Sequence, residues 1–411
     1  MKIFLHTFGC KANQYDTELL RARMERAGGV SVEDSRHADL CLVNSCSVTA
    51  AADKECRQFV RRLLRDNPRA RVVVTGCYAT HSPEELRSLS PKVEVYSNKE
   101  KDNLPACVGF ELKPEVFGLS RYPTRARAFV KIQDGCRAPC RYCIIPTVRS
   151  EAWSKPVGHV LKEVETLARE GHGEIVLTGI RLGLYKGELG GKKGTLGLVG
   201  LLKELVRLPG EFRLRLSSLE VTEVSDDLLK LAASTEKICR HFHVPLQSGD
   251  DKVLKDMGRW YKYSVFEERV RRIRERLPDA AVTSDVLVGY PTETDAAFRN
   301  TLERVEELRL SGLHVFRYSS RPGTPAAELK PLPPAVLRAR AAQLLALADR
   351  LRGEFRRRFV GTTRRALAEP SGAGWTDNYL RVSLPPGSPV GRLVPVRVGS
   401  EEPSGVSDEN P

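Results

Sequence analysis

Strand–helix alternation constrains this chain more than any other feature of its 411 residues. Six apolar runs recur at intervals of roughly 30–40 residues, the spacing of strand-plus-helix units. They are Ala128–Gln133, Glu174–Thr178, Phe212–Ser217, His241–Leu246, Ala281–Val288 and Leu313–Tyr318. Helical patterns fill the gaps, as in Val160–Glu170, where Val160, Val164 and Leu167 share a side, and Ser264–Leu277. Parallel strands need such crossovers. The spacing therefore predicts an α/β protein with a central partial (β/α)6 TIM-like barrel, whose chemistry lies at the C-terminal strand ends.

The flanks read differently. Lys2–Thr7, Asp39–Asn44 and Arg71–Thr75 are predicted strands, with helices over Gln14–Ala27 and Thr49–Asp66. They predict an N-terminal parallel-sheet α/β domain, residues 1–115. Gly109–Arg127, with Pro114, Pro123, Arg121 and Arg125, reads as a linker into a core of residues 122–355. Pro331, Pro333 and Pro334 precede an amphipathic helix on which Leu337, Ala341, Leu344, Ala348, Leu351 and Phe355 step by three and four. Its other face carries Arg338, Arg340, Arg350, Arg352, Arg356, Arg357 and Arg358. From about Gly361, short β-like runs broken by Gly and Pro predict a small C-terminal β-barrel within residues 356–399. The polar tail, 400–411, is expected to be disordered.

No run approaches the ~18 apolar residues of a membrane span. The opening MKIFLHTFGC reads as a first strand rather than a secretory signal, so a cytoplasmic protein is expected. In that reducing compartment the ten cysteines serve as metal ligands or core residues. The balance of 66 basic to 52 acidic residues, +14 overall, favours a polyanionic partner, most simply nucleic acid.

Cys136-Arg-Ala-Pro-Cys140-Arg-Tyr-Cys143 places three thiols on the loop after the first barrel strand. Four-iron clusters normally take four cysteines. Three would leave one iron open to the amino and carboxylate groups of S-adenosylmethionine, beside a reducing cluster. Zinc prefers four closed ligands, usually with paired cysteines.

Cys10, Cys46 and Cys77 each follow a strand of the first domain, so a parallel sheet brings them to one edge, where a second cluster could sit. Cys41, Cys56, Cys107 and Cys239 lack that placement and read as non-ligands. Asn13, Asp16 and Glu18 either line the second site or furnish the first turn of a helix. Gly179, Ser218, Glu220, Gln247, Asp285, Gly289, Tyr318 and Ser319 mark later strand ends and together describe a cofactor pocket.

These residues resemble the methylthiotransferase family of radical S-adenosylmethionine enzymes from Lys2 to about Val398. Thr7-Phe-Gly-Cys10-Lys-Ala-Asn13, Val43-Asn-Ser-Cys46 and Thr75-Gly-Cys77-Tyr look like its N-terminal cluster segments. Cys136–Cys143 matches its radical motif, with Tyr142 at the aromatic position beside the adenine. His243-Val-Pro-Leu-Gln-Ser-Gly249 and His314-Val-Phe-Arg-Tyr-Ser319 look like further barrel segments. The C-terminal module resembles the family's TRAM domain.

The wording FGCKANQYDTE, KIQDGC and CIIP is most similar to the branch acting on N6-threonylcarbamoyladenosine at position 37 of tRNA. The resemblance implies two 4Fe-4S clusters and S-adenosylmethionine used twice. One molecule methylates sulfur at the auxiliary cluster of Cys10, Cys46 and Cys77. The other yields a 5′-deoxyadenosyl radical that abstracts hydrogen from adenine C2, where methylated sulfur is inserted. Implied partners are the tRNA anticodon stem-loop and a low-potential electron donor such as flavodoxin or ferredoxin, with a monomeric enzyme. Sister branches act on isopentenyladenosine in tRNA or a ribosomal-protein aspartate. A non-catalytic, zinc-containing RNA-binding protein is a further alternative. Two positions depart from the family pattern: Thr292 in Gly289-Tyr-Pro-Thr-Glu293, and Ser150 after Arg149, both where Gly is usual.

Overall fold

The computed structural model describes residues 1–111, 118–119, 121–122, 126–190 and 194–403. Pro114, Pro123 and Arg125 of the expected linker, and the tail from 404, lie outside the described residues.

The N-terminal sheet has five parallel strands, Lys2–Thr7 (β1), Val30–Ser31 (β2), Leu40–Ser45 (β3), Arg71–Gly76 (β4) and Val93–Val95 (β5), in the order β2-β1-β3-β4-β5. Central β3 is buried throughout and β4 at all but its first residue, as expected of strands covered on both faces. Helix α1 (Lys11–Arg26) follows β1 and α2 (Ala50–Asp66) follows β3. Thr49 caps α2, its Oγ1 accepting from Ala52 N–H at 3.2 Å. The two edge strands, absent from the sequence reading, are too short to show a period.

Six further parallel strands form the core: Ala128–Lys131 (β6), Glu174–Thr178 (β7), Arg213–Leu216 (β8), His241–His243 (β9), Ala281–Val288 (β10) and Gly312–Arg317 (β11). They run as two three-stranded sheets, β8-β7-β6 and β9-β10-β11. The sheets meet edge to edge at a Leu214–Ile238 bridge, with Leu219 N–H donating to His243 O at 3.0 Å. Tyr15, Leu19 and Ala22 of α1 pack into the core beside β6. On the far side, helix α3 (Pro334–Arg357) covers β11 with Leu344, Leu347, Ala348 and Leu351.

Four antiparallel strands end the chain: Thr363–Ala368 (β12), Ala373–Thr376 (β13), Arg381–Ser383 (β14) and Leu393–Arg397 (β15), in the order β14-β13-β12-β15. This sheet sits on the N-terminal ends of the core strands. Arg213 donates to the carbonyls of Arg365 (2.9 Å) and Trp375 (2.7 Å), and Arg215 to that of Thr376 (2.9 Å). Buried Glu174 accepts from both arginines at 2.7 Å. Tyr379 stacks on His241 with centroids 4.2 Å apart.

The arginine run of α3 is not one solvated stripe. Arg340 is buried against Glu293 and Asp295 (2.7 Å), and Arg356 is buried while donating to the carbonyls of Arg381 (2.8 Å) and Gly399 (3.2 Å). The loop after β10 and the C-terminal sheet cover that flank of the helix. Arg338, Arg357 and Arg358 stay exposed.

Candidate active site at the barrel mouth

Cys10, Cys46 and Cys77 lie just past β1, β3 and β4, on one edge of the N-terminal sheet. Gly9 and Gly76, each directly before a cysteine, have φ of 90° and 98°. A Cβ on Gly9 would fall 2.6 Å from Cys46 Cβ, and one on Gly76 2.4 Å from Ser45 O. Glycine is what lets the three turns converge. Burial pushes the Cys46 thiol up to about 12, with Cys77 and Cys10 adding to it.

The other trio sits on the loop after β6. Cys136 N–H donates to Arg149 O at 3.2 Å, and Cys140 Sγ accepts from Arg259 Nη1 at 3.4 Å. Burial pushes Cys143 up to about 12. Thiols that resist ionisation in this way become thiolates when metal cations lie beside them. Each trio brings three soft donors, a set that fits a four-iron cluster with one iron left open, whereas structural zinc takes four closed ligands.

The two loops touch. Cys77 packs against Ile144 and Val148, and Asn98 Nδ2 reaches both Cys77 Sγ (3.7 Å) and Val148 O (3.0 Å). Beside them lies a buried ionic network. Asp16 accepts from Lys101 (3.1 Å), Arg149 (3.0 Å) and Lys131, while Asp134 accepts from Lys131 and Arg149 at 2.6 Å each. Against the push of burial, Lys101, Lys131 and Arg149 hold the Asp16 carboxylate far below its usual range. Asn13 joins this network, its Oδ1 accepting from Arg149 Nη2 at 2.6 Å. On the opposite rim Arg321 donates to Ser47 Oγ (2.7 Å) and to Asp53. The first domain thus roofs the mouth from the β6 side to the loop after β11.

The other sequence-predicted residues are spread around this mouth. Glu220 accepts from Arg259, the residue that also reaches Cys140. Burial pushes the Glu220 carboxyl up, with Arg259 pulling the other way. Tyr142 packs, partly buried, against the apolar cluster that includes Met257, Leu287 and Tyr290. Gly179 lies against Gln133. Gln247 takes a left-handed φ of 67° and its N–H donates to Asp285 O at 2.8 Å. Gly289 makes its close approach to Leu337 of α3, where a Cβ would lie 2.4 Å from Leu337 Cγ. Thr292 Oγ1 is buried without a hydrogen-bond partner, and Ser150 lends its carbonyl to Arg137 (3.4 Å).

Asp285 and Ser218 line a cavity of ≈ 100 Å³ in the barrel lumen, with Lys11, Arg215, Ser217, His241, His243, Thr283, His314 and Tyr379. His243 Nε2 and His314 Nδ1 lie 3.1 and 3.0 Å from Asp285 Oδ1. Although burial opposes it, the two histidines hold Asp285 well below the usual carboxylate range. Sequence reading missed Lys101, Lys131, Arg259 and the place of Lys11 in the lumen wall. A lysine inside the apolar run of β6 was the available signal, because a buried cation needs a buried partner.

Residues 2–97 match uncharacterized protein family UPF0004, and residues 130–305 match the radical SAM superfamily. The chain is 34% identical over 420 residues to threonylcarbamoyladenosine tRNA methylthiotransferase MtaB of Thermotoga maritima, covering 98% of this chain and 95% of the relative. The MtaB of Aquifex aeolicus is 36% identical, covering 97% and 100%. The tRNA-2-methylthio-N(6)-dimethylallyladenosine synthase of Corynebacterium jeikeium is 33% identical, covering 90% and 76%. In fold, the chain is similar to the radical S-adenosylmethionine methyltransferase TsrM of Kitasatospora setae, with TM-score 0.56 and 16% identity, covering 79% and 77%. The two cysteine trios and the relatives together place the chain in the methylthiotransferase family of radical S-adenosylmethionine enzymes.

Proposed function

We propose that this chain methylthiolates C2 of N6-threonylcarbamoyladenosine at position 37 of tRNA. The observation that carries the choice is the lumen cavity beneath Cys10. Lys11, Asp285 and serine and histidine side chains line it beside Leu216 and Phe316. An isopentenyl group is wholly apolar and would leave Lys11, Ser217 Oγ and His241 Nδ1, which have no partner among the described residues, unpaired at a cost for each. A threonylcarbamoyl group brings a carboxylate, a hydroxyl and amide groups to meet them. The MtaB relatives support the same choice.

In this reading Cys136, Cys140 and Cys143 hold the cluster that binds S-adenosylmethionine, and Cys10, Cys46 and Cys77 hold the auxiliary one. When bound, these groups supply the one-electron and sulfur-transfer chemistry at C2, a carbon with no acidic proton and no leaving group. The chain's own residues position the reactants and keep them dry. Arg259 steadies Cys140 and Glu220, while the roof of the first domain shields the mouth from water. Tyr142, Gly179, Ser218, Glu220, Gln247, Asp285 and Gly289 surround the space for cofactor and substrate.

Residues 1–115, 122–355 and 356–399 serve as cluster domain, radical core and TRAM-like RNA module. Net charge of +14 favours RNA phosphates, which position rather than specify. Flavodoxin or ferredoxin would supply electrons to a monomer. Mass spectrometry of tRNA nucleosides from a strain lacking this protein tests the substrate. Loss of 2-methylthio-threonylcarbamoyladenosine is expected, and its persistence unchanged would refute the assignment.

A further inference from the structure

Resting on the threonylcarbamoyl reading, we propose that Lys11 is the residue that binds the carboxylate of the substrate's threonyl group inside the barrel lumen.

Charge in this cavity is almost fully committed. Arg215 is spent on Glu174 and on carbonyls of the C-terminal sheet, and Asp285 is held by His243 and His314. Lys11 alone among these ionic groups has no hydrogen-bond or ion-pair partner among the described residues. Two further polar atoms of the lining are buried and unpartnered, Ser217 Oγ and His241 Nδ1. Buried polar groups are nearly always satisfied. The cavity of ≈ 100 Å³ has room for several waters. That suits a carboxylate with its adjoining hydroxyl.

Position supports the same occupant. Lys11 directly follows Cys10, and the wall residues Ser217 and Ser218 lead to Glu220, which Arg259 ties to Cys140. A nucleoside anchored by its tail in the lumen therefore holds its base at the mouth, between the two cysteine loops.

The test uses the cluster-reconstituted full chain and two anticodon stem-loops, one carrying threonylcarbamoyladenosine and one its neutral carboxamide. Both Kd and kcat/KM are measured. Wild type should prefer the carboxylate by roughly ten- to a hundredfold, the scale of a charge-assisted hydrogen bond. Lys11→Met should lose that preference by weakening only the carboxylate substrate, and Lys11→Arg should retain it. A merely structural lysine would weaken both substrates alike. Indifference of the wild type to the carboxamide overturns the proposal without recourse to any variant, as does full discrimination by Lys11→Met. A wild type inert on threonylcarbamoyladenosine but active on isopentenyladenosine overturns the substrate reading as well.

Discussion

Arg149 Nη2 lies 3.0 Å from Asp16 Oδ2, a contact between residues 133 positions apart in the chain. Asp16 is six residues past Cys10 and Arg149 six past Cys143, so this ion pair fixes one cysteine loop against the other. Asp16→Ala would leave Lys101 without its carboxylate and Asp134 alone to offset both Lys131 and Arg149. Breaking a buried pair in this way costs about 3–5 kcal/mol. Denaturant unfolding should show that loss, with product formation falling further than cofactor cleavage because the loops shift apart. A variant as stable as wild type would show that the network does not hold the two parts together.

On the proposed reading the two cysteine trios have separable duties. Cys136→Ala should reduce 5′-deoxyadenosine formation to background. Cys46→Ala should retain that cleavage and lose the methylthio product. Equal loss of cleavage in both variants, measured by chromatography of the reaction mixture, contradicts the division.

Arg259 brings a positive charge and an N–H to Cys140 Sγ at 3.4 Å. Hydrogen bonds and local charge at cluster sulfurs set reduction potential. Arg259→Gln should therefore lower the potential of the cluster bound there, by an amount on the order of tens of millivolts. A redox titration followed by electron paramagnetic resonance measures it, and an unmoved midpoint counts against the contact.

Stability should fall in mild acid partly through His6. Its ring stacks on Phe59 at 4.0 Å, and burial, helped by Arg62, lowers its pKa to about 4. The unfolded chain binds this proton near pH 6.5. As the pH drops from about 6.5 towards 4, the unfolded state takes up a proton the folded state refuses, so stability declines across that window. His6→Phe, which still stacks on Phe59, should flatten the decline. Identical slopes for both proteins between pH 7 and 5 would rule out this contribution.

Much of the architecture was legible because it is written in runs. The apolar stretches of β3 and β4 and the six core strands are long enough, and regularly enough spaced, to announce themselves. Val30–Ser31 and Val93–Val95 are not: an edge strand of two or three residues carries no period. The cysteines were legible because parallel strands share one chemical edge. Asn13 and Asp16 were ambiguous, since a polar residue near a helix start serves a cap or a site equally well. Their destination is the ionic network, and α1 has no side-chain cap. Lys101 lies in a short 3-10 turn and gave no signal, because its partner is chosen by tertiary folding alone. Arg340 and Arg356 misled because helical periodicity separates apolar from polar positions without saying what covers the polar flank.

The stack of Tyr379 on His241 gives the lumen a floor, supplied by the same sheet that is read as the RNA module. The lumen is therefore a tube stopped at its lower end by the C-terminal sheet. On the reading proposed above, a substrate tail goes in first and comes out last, so nucleoside exchange runs through the space between the two cysteine loops. Clipping off the C-terminal sheet would do more than weaken a grip on RNA. It would turn the tube into a pipe, with bulk water entering from below towards the chemistry at the mouth.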